Sequence, residues 1–307
     1  MVFYASSKIF AQAHYFFCEF MLLKIFRFFS IFPLPLLHWL GSALGWAVYL
    51  LSPSYRRRMR ENMALAGYGR HLRQAVAEAG KAVAELPFVW LASEERIARR
   101  VFLKNYELVE EHLRAGRGIV FLTPHLGCFE ITAQRVSHDT ELMVMYRPPK
   151  QAAMKPLVEV ARARGQMVLA PANLSGVRML AKFLKSGKPV GILPDQVPQE
   201  GEGVWADFFG RPAYTMTLPA KMARLGGDAP VILTYAERLP HGRGFLIHFV
   251  PFPGSLEGDN ARQARAINAA MEGLIADCPA QYYWSYNRYK VPPGVAAPGA
   301  GTGGEAA

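Results

Sequence analysis

The chain has 307 residues, which is enough for one large domain or for two of ordinary size, each with a buried core. Hydrophobic residues make up 51%, including 19 Phe and 13 Tyr, which excludes a disordered or fibrous chain and favours contact with lipid. The formal net charge of +11 requires an anionic partner, and nucleic acid, anionic lipid and acidic protein all satisfy that requirement.

The apolar run over residues 28–52 is the first organised feature, and His38 is its only ionisable side chain. Pro33 and Pro35 interrupt the run. The rest, residues 36–51, would rise roughly 24 Å as a helix, less than the ~30 Å hydrocarbon core of a bilayer. A tilted span, a kinked span and a helix in one leaflet all stay open. Because no convincing signal-peptide cleavage site follows, we interpret the run as a retained membrane anchor.

Four arginines follow the apolar run within the segment Pro53-Ser-Tyr-Arg-Arg-Arg-Met-Arg60. The positive-inside tendency places them on the cytoplasmic side of a membrane, where they can meet anionic head groups. The alternative is the solvated start of a basic helix. The three cysteines, Cys18, Cys128 and Cys278, are far apart and lack C-x-x-C spacing, which indicates a reducing, cytoplasmic environment and neither a disulfide framework nor a zinc site.

Helices and strands alternate through the rest of the chain. Helical patterns cover about 61–98 and a stretch from about Tyr106 to Gly116 or Gly118, and the run Ile119-Val-Phe-Leu122 then predicts a buried strand. Further strands are predicted at 142–146, 167–169, 189–193, 231–235 and 245–249, with helices near 151–164, 174–186, 215–226 and 260–277. This order predicts an α/β domain with a parallel or mixed sheet flanked by helices, followed by a disordered tail rich in Gly, Ala and Pro over residues 292–307.

His125 follows the end of a predicted strand, where the functional groups of open α/β sheets gather. Glu130 lies five residues further on, so on a regular helix the two side chains would point about 140° apart. They meet if His125 stays in the turn and Gly127 bends the chain before a helix that begins near Cys128. With Glu130 holding one ring nitrogen, the other ring nitrogen can take a proton from an attacking hydroxyl, as a general base.

This pair alone is a weak signal, because a lone histidine after a strand is more often structural than catalytic. Cys128 is better explained as a small apolar position than as a nucleophile, since no second base is evident near it. The chain lacks a G-x-S-x-G elbow, a phosphate-binding P-loop and an H-E-x-x-H motif. It also lacks a basic recognition helix and an RNP-like strand, so nucleic acid is not a predicted partner.

Several separated segments together resemble the lipid A late acyltransferase family, the lauroyl and myristoyl transferases of Gram-negative envelopes, over nearly the whole chain. Residues 125–130 resemble its His-x-Gly-x-x-Glu block and residues 145–150 its Tyr-Arg-Pro block. Residues 193–196 and 202–213 resemble its Pro-Asp and Phe-Phe-Gly segments, and residues 281–290 its closing Gln-Tyr-x-Trp segment. The sequence departs at Cys128-Phe129, where the family most often carries Asn-Trp, so the acyl chain length stays open.

The resemblance implies an O-acyltransferase that takes an acyl group from acyl carrier protein and esterifies a hydroxyl on a 3-hydroxyacyl chain of the anionic Kdo-lipid A precursor. It implies that His125 deprotonates this hydroxyl, that Glu130 orients His125 and steadies its positive charge, and that the alkoxide attacks the thioester directly. No cofactor and no metal is expected, because the thioester is already activated. The alternative is a transferase of the same mechanism acting on a lysophospholipid or another glycolipid.

The same resemblance suggests residues for substrate binding. Arg147 and Arg164 are candidates for binding phosphates and carboxylates of the lipid, although each is also explained as a surface arginine. Asp195 is a candidate for positioning an arginine or the head group, with capping as the alternative, and Gln196 is a weaker candidate. Tyr146 is a candidate for lining an acyl groove, although aromatic residues in such places more often belong to the core.

We therefore divide the chain into an N-terminal hydrophobic anchor over residues 1–55, an acyltransferase domain over residues 56–291 and the tail. The predicted location is the cell inner membrane, with inner-membrane lipids as a further partner and the catalytic domain facing the cytoplasm.

Overall fold

The computed structural model describes residues 21–146, 155–162, 164–227 and 229–299. The first part of the described chain is helical. Its helices are α1 over residues 21–30, α2 (Leu34–Leu51), α3 (Pro53–Leu65), α4 (Leu72–Ala84), α5 (Leu86–Leu91) and α6 (Glu94–Ala98). Among the described helices, α2 is the one that is long and apolar enough to cross a membrane.

Strands and helices alternate from residue 101 onward, as the sequence predicts. The strands are β1 (Val101–Lys104), β2 (Val120–Leu122), β3 (Leu142–Tyr146), β4 (Met167–Pro171), β5 (Val190–Ile192), β6 (Gly203–Phe208), β7 (Arg211–Met216), β8 (Val231–Arg238) and β9 (Phe245–Pro251). The helices are α7 (Glu107–Arg114), α8 (Phe129–Asp139), α9 (Lys155–Arg162), α10 (Leu174–Lys185), α11 (Leu218–Leu225) and α12 (Asn260–Asp277).

Seven strands form one mixed sheet in the order β1-β9-β8-β2-β5-β3-β4. All neighbours in this sheet are parallel except β8 and β9, which are antiparallel. Each of the six predicted strands is present, and the prediction of an α/β domain with a mixed sheet flanked by helices is confirmed. The apolar side chains on the two faces of the sheet enter two separate core clusters, which is why the central strands read as continuous apolar runs.

Three strands were not predicted. β1 is a four-residue strand at the edge of the sheet, and its residues are alternately half-buried and exposed. β6 and β7 form a separate antiparallel hairpin, closed by Phe209 and Gly210, which both have positive φ. This hairpin lies in a segment whose glycines indicate loops, so its pairing was not evident. Trp205 of the hairpin donates a hydrogen bond to the carbonyl of Ala296, at the beginning of the predicted tail.

Candidate active site

His125 lies in the loop between β2 and α8, at the carboxyl edge of the sheet. β2 is completely buried and pairs with β5 on one side and with β8 on the other. Immediately after it, Leu126 donates a backbone hydrogen bond to the carbonyl of Pro124 over 2.7 Å, which turns the chain tightly around His125. The predicted order of strand, loop and helix is confirmed.

Gly127 makes the bend that the sequence predicts. Its φ is 60°, and a Cβ at this position would lie 1.9 Å from the carbonyl oxygen of Ala236 in β8. Both the positive φ and this close approach require glycine. The next residue, Cys128, donates its backbone N–H to the same carbonyl over 2.8 Å, and α8 begins at Phe129.

The imidazole of His125 is held by Asp195, which follows β5. Nδ1 of His125 lies 2.7 Å from Oδ1 of Asp195, and the backbone N–H of His125 donates to Oδ2 of the same carboxylate over 2.8 Å. β2 and β5 are adjacent parallel strands, so the residues that follow them meet at one edge of the sheet. One carboxylate therefore fixes both the ring and the backbone of His125.

Asp195 also determines which ring nitrogen carries the proton. Burial by itself raises the pKa of this carboxyl, but the ring and the backbone N–H of His125 lower it below its ordinary value. An ionised carboxylate only accepts hydrogen bonds, so Nδ1 of a neutral His125 carries the proton and Nε2 presents its lone pair. This is the tautomer that a general base acting through Nε2 requires.

Gln196 lies on the other side of the ring. Its side-chain nitrogen is 3.0 Å from Nε2 of His125, so the amide donates a hydrogen bond to the lone pair. The ring of Phe129 packs at 4.8 Å from the ring of His125, centroid to centroid.

A second layer of side chains supports Asp195. Burial and the neighbouring Asp195 carboxylate raise the pKa of Tyr282 well above its usual range, so its hydroxyl stays protonated beside Asp195. The guanidinium of Arg288 attracts the same carboxylate. Arg288 is itself buried and donates to the carbonyl of Tyr214 over 2.8 Å and to Oγ1 of Thr215 over 2.7 Å.

The closing Gln-Tyr-x-Trp segment, residues 281–284, is hydrogen-bonded to the His125 loop. Tyr283 donates its backbone N–H to the carbonyl of His125 over 3.1 Å, and Gly127 donates to the carbonyl of Gln281 over 3.0 Å. The side chain of Gln281 accepts from the backbone N–H of Arg238 over 2.7 Å and donates to the carbonyl of Arg238 over 2.9 Å. This segment therefore locks the loop to the end of β8.

Glu130 lies half-buried in the first turn of α8, where a carboxylate is favoured by the helix dipole. The sequence predicts that Glu130 hydrogen-bonds to one ring nitrogen of His125. In the structure, Nδ1 of His125 hydrogen-bonds to Asp195 and Nε2 to Gln196. The adjacency of β2 and β5 brings His125 and Asp195 together although they are 70 positions apart in the sequence. A catalytic role for Glu130 stays a prediction.

Cys128 points away from the site, into a buried ionic cluster. Burial and the Glu85 carboxylate raise the pKa of the Cys128 thiol well above its usual range, which supports its interpretation as a structural residue. Glu85 accepts two hydrogen bonds from Arg238 and lies 2.9 Å from Nε2 of His38. Arg238 also donates to Glu78 over 2.7 Å.

The structure describes two of the other predicted binding residues, Arg164 and Tyr146. Arg164 donates to the carbonyl of Ala92 over 2.6 Å and lines a cavity of about 430 Å³ beside α8, together with Gln134 and Arg135. Burial lowers the pKa of Arg164 from its ordinary value. Tyr146 is half-buried at the end of β3, packed against the core. Arg147 lies outside the described residues.

Within the described ranges, no group of three His, Cys, Asp or Glu side chains is arranged to hold a metal ion. The sequence indicates Asp195 and Gln196 as site residues but does not predict their contacts with His125. Asp195 and Gln196 were candidates for binding substrate, and Tyr282, Gln281 and Arg288 were seen as part of a family segment without a role. The signal available in the sequence is the segment Pro-Asp-Gln at residues 194–196, directly after a predicted strand.

The fold and the site define a class of protein: an α/β domain that presents, at the carboxyl edge of its sheet, a histidine whose tautomer suits a general base. Comparison with known proteins agrees with this class. The sequence profile of the family described as bacterial lipid A biosynthesis acyltransferase matches residues 6–291. The chain belongs to this family, so it is an acyltransferase of lipid A biosynthesis.

Three relatives from Escherichia coli (strain K12) illustrate the similarity. The lipid A biosynthesis palmitoleoyltransferase is 23% identical over 273 residues, which cover 85% of this chain and 87% of that protein. The lauroyltransferase is 27% identical over 217 residues, or 70% of each chain. The myristoyltransferase is 27% identical over 263 residues, covering 81% of this chain and 78% of that protein. Because these relatives are named for different acyl chains, the similarity does not select one.

Proposed function

We propose that the protein transfers a fatty acyl chain from acyl carrier protein to a hydroxyl on a 3-hydroxyacyl chain of a Kdo-lipid A precursor, at the cytoplasmic face of the inner membrane. Membership of the family supports lipid A as the acceptor. The observation that carries the chemistry is the contact of 2.7 Å between Nδ1 of His125 and Asp195, because it leaves Nε2 as the basic nitrogen.

In the proposed reaction, the acceptor hydroxyl displaces the Gln196 amide from Nε2 of His125 and gives its proton to that nitrogen. The alkoxide oxygen attacks the thioester carbonyl carbon and forms a tetrahedral intermediate. When this intermediate collapses, the carbon–sulfur bond breaks, and the imidazolium returns the proton to the leaving thiolate. The products are the lipid ester and the free thiol of acyl carrier protein, so no cofactor is consumed.

Two carboxylates serve this cycle in different ways. Asp195 fixes the ring and stabilises the imidazolium, in the way that a buried carboxylate assists a catalytic histidine. Glu130 lies in the first turn of α8. Its proposed role is to steady the positive charge of His125, which is the second of the two roles that the sequence predicts for it. The amino-terminal turn of α8 begins four residues after His125 and supplies backbone dipoles for the oxyanion.

The proposal is tested with purified protein in detergent, given acyl carrier protein thioesters of several chain lengths and either the tetra-acylated Kdo-lipid precursor or a lysophospholipid. Mass spectrometry of the products identifies both acceptor and acyl chain. We expect acylation of the Kdo-lipid precursor, and acylation of the lysophospholipid alone would replace it with the alternative acceptor.

The base is tested in the same assay with His125→Gln, which we expect to lower turnover about 10²–10⁴-fold because general-base catalysis is lost. His112→Gln on α7 is the matched control, since its ring is remote from the His125 loop. Thermal unfolding of both variants verifies the fold. Normal turnover of a folded His125→Gln variant would reject the mechanism.

A further inference from the structure

The two faces of α2 have opposite surroundings. One face is buried against the domain, through Leu34, Leu37, His38, Gly41, Gly45 and Tyr49. The other face is apolar and exposed, and its large side chains are Leu36, Trp39, Leu40, Leu44, Trp46, Val48, Leu50 and Leu51. Trp39 is 67% exposed and Leu51 83% exposed. The solvent-facing side of a surface helix in a soluble protein is polar. The apolar exposed face of α2 therefore indicates that another molecule covers it.

The buried face of α2 is joined to α4 along most of the helix. A Cβ added at Gly80 of α4 would lie 1.9 Å from the carbonyl oxygen of Gly41, and one added at Gly45 would lie 2.2 Å from the carbonyl of Val76. The two backbones are therefore in direct contact, and the helices run antiparallel, since Gly41 also approaches Ala84. α2 cannot leave the domain without opening this contact.

Charged groups prevent the pair of helices from entering the membrane core together. At the start of α2, His38 contacts Glu85, and Glu85 is bonded to Arg238 of the central sheet. α4 itself carries an exposed Arg73 and the ion pair between Lys81 and Glu78. Moving such charges to the centre of a bilayer is unfavourable, because the bilayer core does not solvate them. A transmembrane α2 would carry this cost.

α1 continues the apolar face of α2. Its exposed side chains include Met21, Ile25 and Phe28, and Ile31 follows in the turn before α2. Arg96 of α6 donates to the carbonyls of Ser30, Ile31 and Phe32, which fixes the end of α1 on the domain. The two helices therefore form one apolar surface of defined shape.

Basic side chains border this surface. Arg56 donates to the carbonyls of Tyr49 and Leu50 at the end of α2, and the exposed Arg57 and Arg60 follow on α3. Arg27 is exposed on α1. Apolar side chains with tryptophans, flanked by arginines, are complementary to acyl chains under anionic head groups.

We propose that α1 and α2 lie in the plane of one membrane leaflet, with their exposed face among the acyl chains and the arginines of α3 at the head groups, and that α2 does not cross the bilayer. The proposal specifies how the membrane attachment of the proposed function is made. It places α3 at the lipid surface, and Asn62 of α3 donates to the carbonyls of Trp284 and Tyr286, in the segment that holds the His125 loop. The acceptor lipid would thus enter from the leaflet on which the enzyme sits.

The depth of α2 in vesicles separates the two arrangements. Nitroxide labels are placed on single cysteines, Leu36→Cys, Leu44→Cys or Leu51→Cys, in a Cys18→Ser background. Cys278, which is only half-buried, is also replaced by serine, and Cys128 stays unlabelled because it is buried. The vesicles contain phosphatidylethanolamine and phosphatidylglycerol, and depth is measured by collision of the label with oxygen and with a water-soluble nickel chelate. Leu225→Cys, exposed on α11, is the aqueous control.

We expect the three labels on α2 to lie at similar depths of about 5–10 Å below the head groups. A steady change of depth by about 22 Å from residue 36 to residue 51 would show a transmembrane helix and overturn the proposal. Labels as aqueous as the control would also overturn it, and would assign the apolar face to a protein partner or a second copy of the chain. The measurement does not use acyl transfer, so its failure is distinguishable from failure of the proposed function.

The affinity for vesicles gives a second readout. Leu40→Glu together with Leu44→Glu leaves the buried face of α2 unchanged, and we expect it to weaken vesicle binding by about tenfold or more while the thermal transition is retained. Leu225→Glu is the matched control. Deleting residues 1–52 is a poorer test, because it would uncover the buried face of α4. Unchanged vesicle binding of the folded double variant would contradict the proposal.

Discussion

Two histidines of this chain each contact a buried carboxylate, in opposite surroundings. Nδ1 of His125 lies 2.7 Å from Asp195 at the edge of the sheet, and 16% of the His125 side chain is exposed. Nε2 of His38 lies 2.9 Å from Glu85 between α2 and the end of α4, and its side chain is 6% exposed. By residue type and distance alone, the two pairs look alike.

The difference lies in what else each carboxylate binds. Glu85 is bonded through both oxygens to Arg238, so its charge is already balanced and His38 completes a structural cluster. Asp195 gives one oxygen to the ring and the other to the backbone N–H of the same histidine. The charge of Asp195 therefore acts on the His125 ring and polarises it. The charge of Glu85 is neutralised by Arg238, and His38 only adds a further hydrogen bond to it.

Among the tests of this comparison, Asp195→Asn is expected to have the largest effect, and the quantity that changes is turnover. An amide nitrogen facing Nδ1 would donate to it, move the ring proton to Nε2 and remove the lone pair from the reacting nitrogen. We expect turnover to fall about 10²–10⁴-fold with little change in KM, as measured by mass spectrometry of the lipid product.

Glu130→Gln is the companion variant in that assay. If Asp195 orients the ring, as its contacts indicate, Glu130→Gln loses less turnover than Asp195→Asn. The opposite order, with both variants folded, would return the orienting role to Glu130.

The second effect is on stability. Glu85→Gln removes the charge that compensates Arg238 in a fully buried cluster, and we expect it to lower the free energy of unfolding by about 3–5 kcal/mol. Urea unfolding measures the change, and Glu95→Gln, exposed on α6, is the matched control. The turnover of the folded fraction should remain near normal. A large loss of turnover without loss of stability would show that His38 and Glu85 belong to the active site.

The smallest expected effect is the acid dependence of that stability. Burial alone would raise the pKa of Glu85, but Arg238 and His38 lower it to about 2, from an ordinary value of 4.5. A carboxyl with a lowered folded-state pKa stabilises the fold above its unfolded-state pKa and loses that contribution as pH falls toward its folded-state pKa. We expect Glu85 to account for a loss of about 3 kcal/mol between pH values of about 4.5 and 2.

Unfolding free energies of the wild type and of Glu85→Gln, measured across this range, test the assignment. The difference between the two proteins should shrink as the pH falls. Parallel curves would contradict it.

Four of the six strands that the sequence predicts share a physical property. β2, β3, β5 and β8 are buried on both faces, so each appears as a short apolar run that needs no knowledge of its neighbours. β1 and the hairpin of β6 and β7 depend on their partners instead. Phe209, for example, adopts a positive φ in the hairpin turn, and its backbone N–H donates to Glu272 of α12 over 2.8 Å.

The local sequence by itself determined the position of His125 after a strand, the bend at Gly127, the start of α8 and the apolar character of α2, because each depends on neighbouring residues along the chain. Only the tertiary structure decided that Asp195 holds the imidazole and that one face of α2 is fastened to α4. The strand order places β5 beside β2 although β3 and β4 lie between them in sequence. That order follows from how both faces of the sheet are buried at once, which no single segment encodes.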